Sequence, residues 1–208
     1  MSHATKYESL WPELLKKLSA AAIADEQIGG LLPPDSVDAG WLGYQAATEE
    51  ELIKLEKRIG AKLPPSYRSF LATSNGWRYP GYFVYDLLPT TKVGWFRDLH
   101  QDWIDAWSEG ADLIGESPQV PDREYFIYGP GQDPGNFREK HWRKTLAISE
   151  DGDSAILLLN PKVVTAEGEW EAWFFANWLP GAERYRTFWD LMQAELDRWI
   201  KLREGRKK

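Results

Sequence analysis

Residues 48–77 read TEEELIKLEKRIGAKLPPSYRSFLATSNGW, and two consecutive helices can be taken from them residue by residue. Thr48 followed three positions later by Glu51 is a capping box, in which each side chain accepts a hydrogen bond from a backbone N–H that has no partner inside the helix. Leu52, Leu55 and Ile59 then recur at helical spacing, Glu50, Lys54, Lys57 and Arg58 occupy the other faces, and Gly60 offers the left-handed residue that stops the helix. Leu63, Pro64 and Pro65 cannot continue it. A proline does fit the first turn of a following helix, which carries Tyr67, Phe70 and Leu71 inward and ends at Asn75-Gly76. The stretch predicts a helical corner with a narrow apolar stripe, and it points to a binding protein.

Working outward, residues 7–22 place Leu10, Leu14, Leu15 and Leu18 on one face with Pro12 in the first turns, which predicts an earlier helix, and residues 29–40 read as a loop. From 77 to 93 the period changes: Tyr79, Tyr82, Phe83, Val84 and Tyr85, interrupted by Pro80-Gly81 and Pro89, predict short strands. Residues 98–114 predict a helix from the spacing of Leu99, Trp103, Ile104 and Trp107. Further strands are expected at 125–128, 145–149, 155–159 and 170–175, with Glu150-Asp151-Gly152-Asp153 as a tight hairpin turn. Residues 183–202 predict a last helix, with Tyr185, Phe188, Trp189, Met192, Leu196, Trp199 and Ile200 on one side, packed on the sheet. The expected fold class is α+β, a twisted antiparallel (mixed) sheet flanked by N-terminal and C-terminal helices. A single domain is expected over 1–208, with a helical extension and loop at 1–40, a core at 41–202 and a tail at 203–208.

The elements Glu49, Glu50 and Glu51 opening a helix, then Glu56, Gly60, Leu63-Pro64-Pro65, Tyr67, Phe70-Leu71 and Asn75-Gly76-Trp77, form a pattern. It resembles the amino-terminal signature of the SUKH superfamily, which contains the Smi/Knr cell-wall-assembly regulators of fungi and many bacterial immunity proteins. Residues 145–160, TLAISEDGDSAILLLN, followed by Gly168-Glu169-Trp170-Glu171-Ala172-Trp173, are similar to the later strands of bacterial members. The resemblance spans residues 41–196. It implies an α+β domain that binds a partner protein, usually a toxin and often a nuclease, and performs no chemistry of its own.

Composition narrows the classes. No run approaches the roughly 18 apolar residues of a membrane span, and the first residues lack a basic start followed by an apolar signal core. There are no cysteines, hence no disulfide framework, thiolate metal site or cysteine nucleophile, and the expectation is a cytoplasmic chain. The formal net charge of -7 is localised. Between Arg97 and Asp133 lie Asp98, Asp102, Asp105, Glu109, Asp112, Glu116, Asp122, Glu124 and Asp133 against two arginines, Arg97 and Arg123, whereas acids and bases balance elsewhere. Such a field repels nucleic acid and draws in a basic protein surface, although charged stretches also serve only to keep a helix or loop solvated.

Raw material for catalysis is scarce. The three histidines are His3, His100 and His141, and nucleophile-elbow, zinc-protease and Walker patterns are missing from the sequence. The run Gly129-Pro130-Gly131-Gln132-Asp133-Pro134-Gly135 has prolines where a phosphate cradle needs backbone N–H groups, so it reads as a structural loop. Asp151-Gly152-Asp153 lacks the alternating acids and distal glutamate of a calcium loop. No cofactor and no metal are expected. Glu167, Glu169 and Glu171 alternate and would share one face of a strand about 7 Å apart, a spacing open to glycoside hydrolysis but also typical of a half-exposed sheet.

Twelve tryptophans remain to be placed. Trp103, Trp107, Trp189 and Trp199 have aliphatic neighbours at helical spacing and read as core. Trp77, Trp95, Trp178 and Tyr79 stand beside Gly, Pro, Asn or Arg at expected strand ends, where a ring can be left for a ligand. The reading that joins these observations is stoichiometric inhibition: Asp98, Asp102, Asp105 and Asp112 steer a basic toxin onto aromatic anchors at Trp77, Tyr79 and Trp95. Two other classes remain open, a regulatory interaction module like the fungal regulators, and a carbohydrate-binding protein or glycosidase using the tryptophans.

Overall fold

The computed structural model describes residues 6–106 and 120–206. Helix α1 (Trp11–Ile23) starts with proline in its first turn and buries Trp11, Leu14, Leu15, Leu18 and Ala22. The expected first turn at 7–10 is not regular helix, although the Tyr7 carbonyl accepts from both Leu10 N–H and Trp11 N–H. The segment expected to be a loop contains α2 (Pro34–Ala39), with Pro34 opening it and Gly40 closing it at φ +63°. It buries no residue. With no apolar stripe to reveal it, only the proline and glycine punctuation marks this helix in the sequence.

The helical corner forms as read. In α3 (Glu49–Ile59) the Thr48 Oγ1 accepts from Glu51 N–H at 3.2 Å and the Glu51 carboxylate accepts from Thr48 N–H at 2.8 Å. Gly60 ends the helix at φ +69°. Helix α4 (Pro65–Thr73) buries Ser66, Tyr67, Ser69, Phe70 and Leu71.

Strands β1 (Trp77–Gly81) and β2 (Val84–Leu87) form a separate two-stranded sheet. Strands β3 (Gly94–Trp95), β4 (Leu146–Ala147), β5 (Ala155–Val164), β6 (Trp170–Ala176) and β7 (Ala182–Tyr185) form a five-stranded sheet in sequential order, every pairing antiparallel. Two expectations fail here. Residues 125–128 are not a strand; a helical turn, Asp122–Tyr125, lies there, because Tyr125 turns inward to a buried carboxylate instead of pairing along a sheet. Strand β7 occupies the start of the segment expected to be the last helix, since Arg184 and Tyr185 pair with Trp173 and Ala172. The C-terminal helix therefore begins at Phe188 and runs to Arg206, with Thr187 Oγ1 accepting from Asp190 N–H at 3.0 Å.

Both faces of the five-stranded sheet are covered. On one face Leu157, Leu159, Ala172 and Phe174 pack with Trp11, Phe70, Phe188 and Met192 from α1, α4 and the C-terminal helix. On the other, Ile156, Leu158, Trp173 and Phe175 pack with Phe96, Ile104, Phe137 and Trp142, all from the segments between β3 and β4. The continuous apolar run Ala155-Ile156-Leu157-Leu158-Leu159 follows from this double burial, since a strand with two covered faces has no position for a solvated side chain.

The C-terminal helix carries one unusual core residue. Glu195 is fully buried, 3.3 Å from Arg198 Nε, and among the described residues neither carboxylate oxygen has a well-formed hydrogen bond. Arg198 also pairs with Glu183 at 2.6 Å and lies over the Phe174 ring. Gly81 on β1 meets the Glu195 carboxylate so closely that a Cβ there would collide with it. Burial pushes the Glu195 carboxyl up to about 7 despite the Arg198 charge.

Candidate functional site

The predicted site residues separate into three groups. Trp77 is not an exposed anchor: it is wholly buried beneath β1, edge-on to Trp41 at 4.9 Å between ring centroids, and its glycine and arginine neighbours reflect a strand start rather than an open loop. Trp95, on the two-residue strand β3, is half-buried against the main core. Tyr79 is half-buried, and Asp98, Asp102 and Asp105 are exposed. Asp112, with Trp107, Glu109 and Glu116, lies outside the described residues.

Tertiary structure reorganises the acidic segment. Asp122 is paired with Arg138, Glu124 with Arg123 at 3.3 Å, and Asp133 accepts from Gly135 N–H within its own turn. These acids hold local structure. The acids that remain on the surface are joined by others from distant sequence. Trp103 Nε1 donates to Asp151 at 3.1 Å, which ties the residues 101–106 helical turn to the β4–β5 turn. That turn in turn bonds to the β1–β2 hairpin: Glu150 N–H donates to the Asp86 carbonyl on β2 and Asp153 N–H to the Phe83 carbonyl in the hairpin turn. Asp86, Glu150, Asp151 and Asp102 thus form one ridge assembled from three segments, with Asp105 exposed on the same helical turn as Asp102. Lys92, 3.2 Å from Glu150, is its paired base.

The ridge acts on its own ionisation. The Asp151 carboxyl is raised by burial and by Asp102, opposed by the Trp103 hydrogen bond and by His100. Asp86 is raised by burial and by Glu150, opposed by Tyr44, Arg78 and Lys92. His100 is lowered by burial, with Asp102 and Asp151 pulling the other way. Burial is the largest cause in all three, and a neighbouring carboxylate adds to it for Asp151 and for Asp86.

Beside the ridge, β1 and β2 carry an aromatic surface that the sequence left unassigned except for Tyr79. Tyr44 and Tyr85 are 39% and 42% exposed. Tyr44 OH donates to Asp86 at 3.1 Å, and the Arg78 guanidinium lies 4.0 Å from the Tyr44 ring centroid. The Tyr79 and Tyr85 rings are 5.8 Å apart. Tyr79 has φ +48°, a left-handed conformation for a bulky residue directly before a proline, and the β1–β2 register shifts between Arg78 and Gly81. A bulge of this kind re-aims a side chain, and the strain costs on the order of 1–2 kcal/mol.

The alternating glutamates do not form an exposed row. Glu167 is exposed, but Glu169 and Glu171 are buried and serve different elements. Glu169 accepts from Ser66 N–H at 2.8 Å and Ser66 Oγ at 2.6 Å, where the α4 amides point outward and favour an anion. Glu171 accepts from Tyr125 OH, Tyr128 OH, Asn160 Nδ2 and Trp173 Nε1, at 2.6, 2.8, 2.9 and 2.7 Å. Three donors converge on Oε2 and Tyr128 OH alone reaches Oε1, and the site fixes the segment 122–128 to the second sheet face. Glu169 lies just before β6 and Glu171 within it, so the two carboxylates do not share a strand row. Among the described residues there is no cluster of acids and histidines that could hold a metal ion.

No helix among the described residues is long and apolar enough to cross a membrane. No curated protein matches the chain. The model of the SMI1 / KNR4 family (SUKH-1) matches residues 46–194, from the segment leading into α3 through strands β1 to β7 and into the C-terminal helix. Since that match covers most of the chain, and the helical corner and antiparallel sheet fall within it, the protein belongs to the SMI1 / KNR4 family (SUKH-1).

Proposed function

We propose that this protein is a cytoplasmic immunity protein that neutralises a toxin by stoichiometric binding, without turnover, the toxin being a basic protein such as a nuclease. The observation that carries this reading is the acidic ridge of Asp86, Asp102, Glu150 and Asp151, built from three segments on the scaffold of a family of binding domains, with Asp105 on the same helical turn as Asp102. An acidic ridge raises the association rate with a cationic protein and disfavours nucleic acid. Asp98, beside Arg97 at 3.5 Å, and Asp112 extend the same field in sequence.

The test is growth rescue: the carboxyl-terminal domain of a secreted toxin encoded beside this gene is expressed with and without this chain. Immunity predicts restored growth and a one-to-one complex on purification. Reversal of Asp98, Asp102 and Asp105 to lysine should slow association about tenfold or more at low salt, with the difference shrinking as salt is added. Continued toxicity in the presence of folded protein would refute immunity, and an association rate indifferent to charge and salt would refute steering.

A further inference from the structure

Three turns meet at one end of the sheets. The turn between β1 and β2 holds Phe83, the β4–β5 turn holds residues 151–154, and the β6–β7 turn holds Asn177 and Trp178. Hydrogen bonds join them in series: Asp153 N–H donates to the Phe83 carbonyl at 2.9 Å, and Asn177 N–H donates to the Ser154 carbonyl at 3.1 Å. The first and third turns also touch directly, through the Phe83 and Trp178 rings at 5.3 Å between centroids. Phe83 therefore meets Asp153 with its carbonyl and Trp178 with its ring. Gly152 has no room for a side chain against that carbonyl, so the turns are closely fitted. Trp178 has Phe174 as a second ring neighbour at 6.4 Å, yet it is 47% exposed, the one exposed tryptophan among the described residues. Every charged side chain on these turns is acidic: Glu150, Asp151 and Asp153, all exposed. Lys92 pairs with Glu150, and Asp153 has no ion pair among the described residues.

We propose that this three-turn end is the surface on which the toxin docks, with Trp178 as its anchor and Asp151 and Asp153 as the charges on the adjoining turn. The occupant is a basic protein because the acids on the turns continue the ridge: Asp151 belongs to it, Asp153 is two residues further on, and no base stands on the three turns to oppose an incoming arginine or lysine. A tryptophan ring packed on one side by Phe83 and Phe174 loses little freedom on binding, and its uncovered part offers apolar area and a π face to an aliphatic stem or a guanidinium. Cross-bonded turns hold that ring in a fixed place relative to the acids, which a single loop would not do. The contrast with the core is direct. Trp77, Trp142, Trp173 and Trp199 are closed over to 2% exposure or less, whereas Trp178 adds only part of its ring to the fold. This docking surface rests on the toxin-neutralising reading.

The experiment is calorimetric titration of the catalytically inactivated toxin domain into wild type, Trp178→Ala, Asp153→Lys and Val164→Ser, with the melting temperature and light-scattering mass of each. Val164 is a comparably exposed apolar residue, 52%, at the other end of β5, about 30 Å from the turns. The docking surface predicts a Kd weaker by about 30-fold or more for Trp178→Ala, with little dependence on salt. Asp153→Lys should weaken binding by about tenfold or more at low salt, the difference narrowing as salt is added, and Val164→Ser should stay within about threefold of wild type. Asp153→Lys breaks no ion pair among the described residues, so it reads the docking even if Trp178→Ala melts well below wild type. Wild type that fails to bind would remove the immunity reading and the docking surface with it. Tight binding by wild type with Kd unchanged in both Trp178→Ala and Asp153→Lys would overturn the docking surface alone. A wild-type dimer that Trp178→Ala converts to a monomer with full toxin affinity would also overturn it, by making this end a contact between copies of this chain.

Discussion

Replacing Glu195 by glutamine should make the protein more stable above neutral pH and leave it nearly unchanged in acid. Glu195 is fully buried, its carboxylate oxygens accept no well-formed hydrogen bonds among the described residues, and burial raises it from 4.5 to about 7. Between those values the folded protein holds a proton that the unfolded chain has lost. Folding stability therefore falls as pH rises through this window, and the loss is complete above about pH 7. A displacement of that size corresponds to about 3 kcal/mol, of which the glutamine should recover about 1–3 kcal/mol in mildly alkaline solution, because Arg198 keeps Glu183 as its partner at 2.6 Å. For a domain of this size that is a rise of roughly 2–10 °C in melting temperature. Urea titrations of wild type and Glu195→Gln at about pH 5, 6.5 and 8 measure it, and the difference between the two proteins isolates this carboxyl from every other titrating group. Parallel stability profiles, or a variant that is less stable at the highest pH, would show that Glu195 is ionised and well stabilised in the fold.

Thr48→Ala removes half of the capping box and should cost about 1 kcal/mol of stability by chemical denaturation, since Glu51 N–H loses its acceptor while the helix stripe is untouched. Gly152→Ala should destabilise by about 1–3 kcal/mol, because a Cβ at that position would run into the Phe83 carbonyl in the turn between β1 and β2; a melting temperature equal to wild type would refute that packing. His141 is lowered to about 4, by burial first and then by Arg138, Lys140 and neighbouring lysines. Its imidazole signals in a proton NMR titration should stay constant from about pH 8 down to about 5. Because the folded ring resists a proton that the unfolded ring takes up below about 6.5, this residue contributes stability that is lost as the solution is acidified, the opposite sign to Glu195.

The helical corner was legible because its signals are local. A capping box, a left-handed glycine and prolines at helix starts act through bonds between residues a few positions apart, so Thr48, Glu51, Gly60 and Pro65 name their structure without reference to the rest of the chain. The pattern of short strands between 145 and 175 was legible for a similar reason, and so was the family. The β7 strand was not, because Tyr185 and Phe188 lie at a spacing that suits a helix face. Only pairing with Ala172 and Trp173 holds 182–185 extended.

Placement of side chains in space depended on contacts across long stretches of sequence. Trp77 and Tyr79 have similar neighbours, yet Trp41 closes over one while a bulge and a left-handed φ deflect the other. The nine acids between Arg97 and Asp133 form one block in the chain, but in the fold Asp122 and Asp133 are tied into local structure while Asp86, Glu150 and Asp151 join Asp102. Glu169 and Glu171 alternate as a strand row should, and each instead meets a separate set of buried donors. The sequence by itself determined the secondary elements with strong local signals, the family, and the excess of negative charge, all of which are properties of neighbouring residues or of simple composition. Burial and the sharing of charge are properties of pairs brought together by folding, and for this protein only the tertiary structure decided which rings and which carboxylates stand at the surface.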